Sequence, residues 1–591
     1  MKSGKYFVLF CLILAIYYSA TLIVYPGFSI HLGSVNSPTP DLVSLWNWWQ
    51  AWSWILIASL TFAILSADNI TATADANRIL ARIPITSAIF LISLVLSLTV
   101  RFYLVNSMYL TDDESAYLFA ARLVGGGQLF TDSPEQKIFY DRVFMINDGQ
   151  FFPQYFYGWP FLLSLGIVLN VPFLVNPLFF AGSCVLIYKI LSHRSVSYWG
   201  VVGVALFALS PLGIMNSANY LTHSSATFFT LFLAFSYEQI RKSSNSTSLY
   251  IAIASAAAGI LFNIRPMTGV LISLPYFVAT LVILVKQKAV LNYAMVLLIP
   301  GLALLSGFFL LNYVLHDSPL NSGYSHYISY AMENNFRFSW WNFSAEPLEA
   351  SEVPFFPAFD GRSFVVSAYA GWLRLTHDGL GLPGIVLPSV AILWALRYNA
   401  PMAFAVLLMV LGHARWYDNG IDSYGPVHLS EALPLVGIIL VLFVQAIQTW
   451  FQKNMPDKTE TLSRVTKALG VAAVASIFLG YSLIRFSHVA TMARNIAIPY
   501  NEAELLGITN AIVFSPVPFI DQRSISPLSH YRYWRDNPLP DLSDNIIWVN
   551  DLGEAENRMF LNSKPSRKGY TMVWVEDGRK VEFQEIQIGR N

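Results

Sequence analysis

Apolar residues run along this chain in blocks of roughly 20 with almost no charge inside them, divided by shorter polar stretches. A block of that length crosses a bilayer core as a helix, because backbone amides in hydrocarbon must pair within their own segment. This reading predicts about thirteen crossings, near 7–25, 43–66, 85–106, 172–191, 196–214, 224–239, 249–264, 267–285, 292–314, 379–397, 400–412, 431–449 and 467–486. The apolar stretch from Trp159 to Asn170 is too short to cross and reads as interfacial or re-entrant. The opening block from Lys2 has the basic start and apolar middle of a signal peptide, but without an obvious small-residue cleavage site a retained helix is expected.

Basic residues orient the crossings. With the N-terminus cytoplasmic, every inner loop carries Lys or Arg, including Arg78 and Arg82, Lys189 and Arg194, Arg241 and Lys242, Lys286 and Lys288, and Arg397. The short outer loops at 26–42 and 215–223 carry none, which is the positive-inside pattern. Composition agrees with a membrane protein: 55% of residues are hydrophobic, only 12% are charged, and mean hydropathy is +0.50. A water-soluble enzyme is excluded. The 36 basic and 36 acidic residues cancel, so nothing points to nucleic acid as a partner. Cys11 and Cys184 both lie in apolar blocks, which excludes a disulfide framework and a thiolate metal site.

Three regions then face outward: a loop over 107–171, a second over 316–378, and a tail over 487–591. All are longer than connectors need to be, so an active site assembled on the exoplasmic face is expected. The tail reads as a small α/β domain, with strands at 511–515, 545–550, 570–576 and 580–586 and helices at 501–508 and 554–562. Residues 85–486 form the core, and 1–84 an N-terminal two-helix extension.

The strongest chemical signal is Asp112-Asp113-Glu114, directly after the third predicted helix. Three crowded carboxylates raise at least one pKa, which prepares a group to take a proton. The same residues after Thr111 also suit the capped first turn of a helix, where negative charge meets the helix dipole. Tyr140-Asp141-Arg142 and Gln154-Tyr155-Phe156-Tyr157-Gly158-Trp159-Pro160 stand later in the same loop. Further along are Leu209-Ser210-Pro211 with His223, Arg265-Pro266, Asn312-Tyr313 with Pro319, and Gly425-Pro426 with Glu431 and Pro434.

Taken in order, these motifs resemble the GT-C glycosyltransferases, membrane enzymes that take sugars from polyprenyl-phosphate donors, and in particular the protein-mannosyltransferase and aminoarabinose-transferase type. The resemblance spans about residues 85–486. It departs at Val427-His428-Leu429, where many relatives carry Arg-Tyr-Tyr, so the usual cation is missing; Arg415 or His428 would have to substitute for it. The resemblance implies a polytopic α-helical GT-C-like fold in a plasma (inner) membrane. The donor would be a polyprenyl-phosphate sugar, and the acceptor a lipid, glycan or protein.

The donor's leaving group is already a phosphate of low basicity, so one base is enough. Asp113 would deprotonate the acceptor hydroxyl, with Glu114 or Asp141 positioning it; Asp112, Arg142, His223 and Arg265 complete the candidate substrate-binding set. Arg265 suits the departing phosphate, whose charge grows in the transition state. No cofactor is required on this reading; a metal held by Asp112, Asp113 and Glu114 would be a hard divalent cation, Mg or Mn. Trp46, Trp48, Trp49, Trp52 and Trp54 read as structural, while Trp340-Trp341 and Phe355-Phe356 can line a lipid groove or simply bury a loop. The competing classes are a flippase for a lipid-linked saccharide and a polysaccharide ligase or polymerase.

Overall fold

The computed structural model describes residues 84–192, 197–242, 247–333, 361–382, 386–414, 425–458, 482–516, 535–576 and 579–587, with a few more between 470 and 478. The first two predicted crossings, the tryptophans of the second, Trp340-Trp341, Phe355-Phe356 and Arg415 lie outside the described residues.

Six described helices are long and apolar enough to cross a membrane: Ile85–Leu104, Pro172–Ser192, Thr247–Ile264, Pro266–Lys286, Val290–His316 and Leu433–Asn454. The block predicted at 196–214 instead breaks into two helices bent by 70°. The cause is Ser210-Pro211: proline supplies no amide to continue the ladder, and Ser210 Oγ caps the new helix by accepting from Gly213 N at 3.2 Å. If the pair is one span, the described count becomes seven. His223–Arg241 fits the predicted 224–239 block, yet it is buried nearly all round inside the bundle. Val386–Tyr398 and Ala400–His413 are only 13 and 14 residues long, short of the roughly 20 a straight crossing needs. Val290–His316 leaves Leu291, Met295, Leu302 and Leu310 exposed, an apolar outer face suited to lipid.

The first helix, α1 (Ile85–Thr99, extended by a π-helical turn to Leu104), leads into a compact loop. That loop holds α2 (Asp112–Gly125), an antiparallel three-stranded sheet of β1 (Thr131–Asp132), β2 (Met145–Asp148) and β3 (Gln150–Pro153), and α3 (Gly158–Val168). The short apolar stretch at 159–170 is thus an 11-residue helix. Two glycines allow backbones to touch around it. A Cβ on Gly158 would lie 2.4 Å from the Asn263 carbonyl, and one on Gly323 would lie 2.1 Å from Gln154 O. The first contact seats the loop on the end of Thr247–Ile264, and the second seats Tyr324 beside Tyr155.

At the C-terminus, the helix predicted at 501–508 proves to be the last turns of one 23-residue helix, Leu483–Leu505. The predicted apolar block ends at 486, but nothing in 487–500 breaks the helix except Pro499, which it accommodates. Four strands come after it: β4 (Ala511–Ser515), β5 (Ile546–Asn550), β6 (Lys568–Val575) and β7 (Lys580–Glu585), in the order β5-β4-β6-β7 with only the last pair antiparallel. Every residue of β4 is buried, so both sheet faces are covered. Val513 packs with Trp548, Met572 and Val581, while Ile512 and Phe514 pack with Phe560, Leu561 and the loop residues Phe139 and Tyr140. The tail therefore shares a core with the first loop rather than hanging free.

Candidate active site

Thr111 caps α2, its hydroxyl accepting from Glu114 N at 3.3 Å. The capped-helix reading of the acidic run is therefore realised, and it places three adjacent carboxylates in very different surroundings. Glu114 is fully buried: one oxygen accepts from Leu110 N and the other from Tyr220 N, both at 2.9 Å. It ties α2 to the C-terminal end of the broken helix pair. Arg101 supports the same tie from the π-helical turn, donating to Ala218 O at 2.7 Å and lying 4.1 Å over the Tyr220 ring. A π-turn at a functional end adds one residue to the helix and so re-aims the segment after it.

Asp113, one residue earlier, is partly exposed and accepts from Tyr155 OH at 2.5 Å. Around it stand Tyr117, whose ring centroid is 4.3 Å from that of Tyr155, and Tyr324 at 5.9 Å. Asp112 has its carboxyl held well above the usual range, first by burial and then by the charge of Asp113. With Glu114 bound to two amides, the three carboxylates do not converge, and among the described residues no group of three His, Cys, Asp or Glu is arranged to hold a metal ion.

Arg265 shares two tyrosine neighbours with Asp113: the charges of both act on Tyr117 and on Tyr324. Its position is set by Pro266, which starts the next helix and leaves Arg265 at the N-cap. The guanidinium is fixed on every side. Nη1 donates to Thr222 Oγ1 at 3.2 Å, Nη2 reaches His428 Nδ1 at 3.3 Å, and Nε is 3.3 Å from Thr268 Oγ1 and 3.4 Å from Glu431 Oε1. His223 Nδ1 is 3.4 Å from the same Glu431 oxygen. Burial, and then the charge of Arg265, holds the His428 imidazole well below its usual pKa, so it is neutral and can accept from Arg265. Arg265 and His223 thus meet at Glu431, with His428 against Arg265, at the end of the bundle where α2 begins.

Asp141 and Arg142 are placed differently. Asp141 accepts from Asn147 Nδ2 at 2.7 Å and from Tyr330 OH at 3.0 Å, and burial raises its pKa. Arg142 donates to Asn550 Oδ1 and, at 2.8 Å, to Trp548 O on β5. These two residues join the first loop to the C-terminal sheet. From that domain Asn537 N donates to Ser115 Oγ at 2.6 Å, and Asp536 lies near Arg122 and Glu114. Burial pushes the Asp536 carboxyl up to about 7 despite Arg122 and Arg535.

Sequence reasoning missed four of these residues. Tyr155 stood in a noted motif without a role, and Glu431 marked only a motif. Arg101 is hidden in an apolar block, where an intramembrane charge was the available signal. Asp536 lies in a tail with no recognisable motif.

These features define a helical membrane-protein bundle with a carboxylate and a guanidinium that share tyrosine neighbours at one end. No family model and no curated protein matches the chain. Among solved structures it is similar to ArnT from Cupriavidus metallidurans in the apo state, at 10% identity and a TM-score of 0.48, covering 85% of this chain and 94% of that one. The same protein bound to undecaprenyl phosphate gives 12% identity and 0.47, over 83% and 93% of the two chains. The archaeal oligosaccharyltransferase AglB from Archaeoglobus fulgidus, in complex with an inhibitory peptide and a dolichol-phosphate, gives 12% and 0.42, over 83% and 69%. Similarity at this level fixes neither substrate nor the role of any residue.

Proposed function

We propose that this chain is an integral membrane glycosyltransferase that moves a sugar from a polyprenyl-phosphate donor to an acceptor hydroxyl on the exoplasmic face. The observation that carries the reading is that Asp113, partly exposed and bonded to Tyr155, and Arg265, fully held, both act on the same two tyrosines, Tyr117 and Tyr324. Asp113 takes the acceptor proton as the acceptor oxygen bonds to the anomeric carbon. The bond from that carbon to the phosphate oxygen breaks, and the phosphate leaves with the electron pair. One displacement inverts the anomeric centre. Arg265 meets the growing charge on the departing phosphate, with His223 and His428 beside it. A preorganised guanidinium serves the phosphate without a metal, so transfer persists in EDTA; a loss restored by Mg or Mn would reverse that point.

About thirteen crossings, an inner (plasma) membrane location, a cytoplasmic N-terminus and an exoplasmic C-terminal domain complete the proposal. The acceptor is a lipid, a glycan or a protein. The 70° break in the helix pair is the one observation favouring the flippase alternative, since interrupted helices form translocation sites.

Mass spectrometry of polyprenyl-phosphate sugars and surface glycans separates the two. Cells lacking the protein accumulate a monosaccharide-linked polyprenyl phosphate and make a glycan short of one sugar, and Asp113→Asn fails to restore it at normal expression. Full complementation by Asp113→Asn refutes the base assignment, and a lipid-linked saccharide trapped on the cytoplasmic side identifies a flippase.

A further inference from the structure

The hydrogen bond from Tyr155 to Asp113 has no purely structural motive. A buried phenol needs one acceptor, and a backbone carbonyl would serve, as Leu129 O does for the neighbouring Tyr157. Tyr155 instead reaches a carboxylate 42 residues away at 2.5 Å, a charge-assisted contact. We propose that Tyr155 is a positioning residue for Asp113, fixing its rotamer and setting how strongly it holds a proton; this rests on Asp113 being the base.

The surroundings are built to hold that phenol still. Tyr155 is 5% exposed, packed against Tyr117 and Tyr324 and, at 5.7 Å, against Phe144. Its backbone neighbour Gln154 is locked from two directions: its amide donates to Phe144 O at 2.9 Å, and Gly323 presses on its carbonyl. A ring so confined delivers its hydroxyl to one point. Asp112, Tyr117, Tyr155 and Tyr324 are among the groups that act on Asp113, and Tyr155 bonds directly to the carboxylate. A phenol donating to a carboxylate favours its ionised form, which keeps the base available, while a carboxylate free to rotate spends most of its time away from the acceptor.

Two measurements test this. The carboxylate stretch of Asp113 is isolated as the infrared difference between wild type and Asp113→Asn protein in detergent, with no substrate. Tyr155→Phe removes only the hydroxyl; it shifts this band, and 3-fluorotyrosine placed at position 155 shifts it the opposite way because its phenol is the stronger donor. With the donor and acceptor that the lipid analysis identifies, Tyr155→Phe lowers kcat about tenfold with KM within about twofold, and adds nothing in an Asp113→Asn background. An unmoved band in both substituted proteins overturns the proposal, as does a full additive effect in the double variant. Because the infrared test needs no turnover, a chain that transfers no sugar would refute the glycosyltransferase reading while leaving this result standing on its own. If Tyr155→Phe does not fold, the fluorinated protein, which keeps every ring contact, gives the answer alone.

Discussion

The two halves of the site are held by opposite means. The acidic half sits on a loop and is fixed by hydrogen bonds: Thr111 caps it, Glu114 takes two amides, and the C-terminal domain grips it through Asn537 and Arg142. The basic half sits on helix ends, where Pro266 sets the start of a span and Arg265 finds Thr222, His428 and Glu431 from other segments. A reactive carboxylate needs partial exposure beside a fixed partner, which the partly exposed first turn of α2 and the confined Tyr155 offer. A phosphate-binding guanidinium needs rigidity, which packed helices offer.

Substitutions that strike one half alone sharpen this contrast. Arg265→Gln leaves Glu431 without its cation and the departing phosphate without its partner, so transfer falls by about 10²-fold or more while the acidic half keeps its structure. Radiolabelled sugar transfer alongside protection of the loop from protease checks both. Gly158→Ala drives a methyl into the Asn263 carbonyl and pushes the two halves apart. It costs about 1–3 kcal/mol of stability and lowers activity beyond what unfolding explains, read by thermal unfolding beside a rate measurement.

The smallest effect belongs to the domain that grips the acidic half. Asp536 has a folded pKa of about 7 against an ordinary 3.8, raised by burial. A raised carboxyl pKa means that its contribution to stability is complete below about 4, fades as pH rises, and is gone above about 7. Docking of the C-terminal domain therefore loosens between those limits, and Asp536→Asn flattens the slope. Hydrogen exchange of β4 and β5 amides across that pH range measures it; an unchanged slope in the variant would contradict the assignment.

Much of this architecture is legible in the amino-acid pattern alone. The strand at 511–515 and the helix at 554–562 fall where hydrophobic alternation and period place them, and the other three strands of that domain agree to within about two residues. Thr111 announces the start of α2. Contact between distant segments is the part that cannot be read. Arg265 and Glu431 lie 166 positions apart and Arg142 and Asn550 lie 408 apart, and no periodicity encodes either pairing. Nor does spacing tell Asp113 from Glu114. Both stand in the first turn of one helix, and the amides of Leu110 and Tyr220 together commit Glu114 to structure. The block predicted at 400–412 matches the helix Ala400–His413, while that at 379–397 begins later, at Val386, because hydropathy counts apolar residues and does not mark where a helix starts.

That division of labour between adjacent carboxylates is tested most directly by comparing Asp113→Asn with Glu114→Gln, each assayed for sugar transfer and thermal unfolding. Asp113→Asn is expected to unfold like wild type yet lose transfer by about 10²–10⁴-fold. Glu114→Gln turns an amide toward a backbone N–H, so it is expected to lose about 1–3 kcal/mol of stability and to retain activity in the fraction that stays folded. The opposite pattern, a folded and inactive Glu114→Gln beside an active Asp113→Asn, would contradict the account.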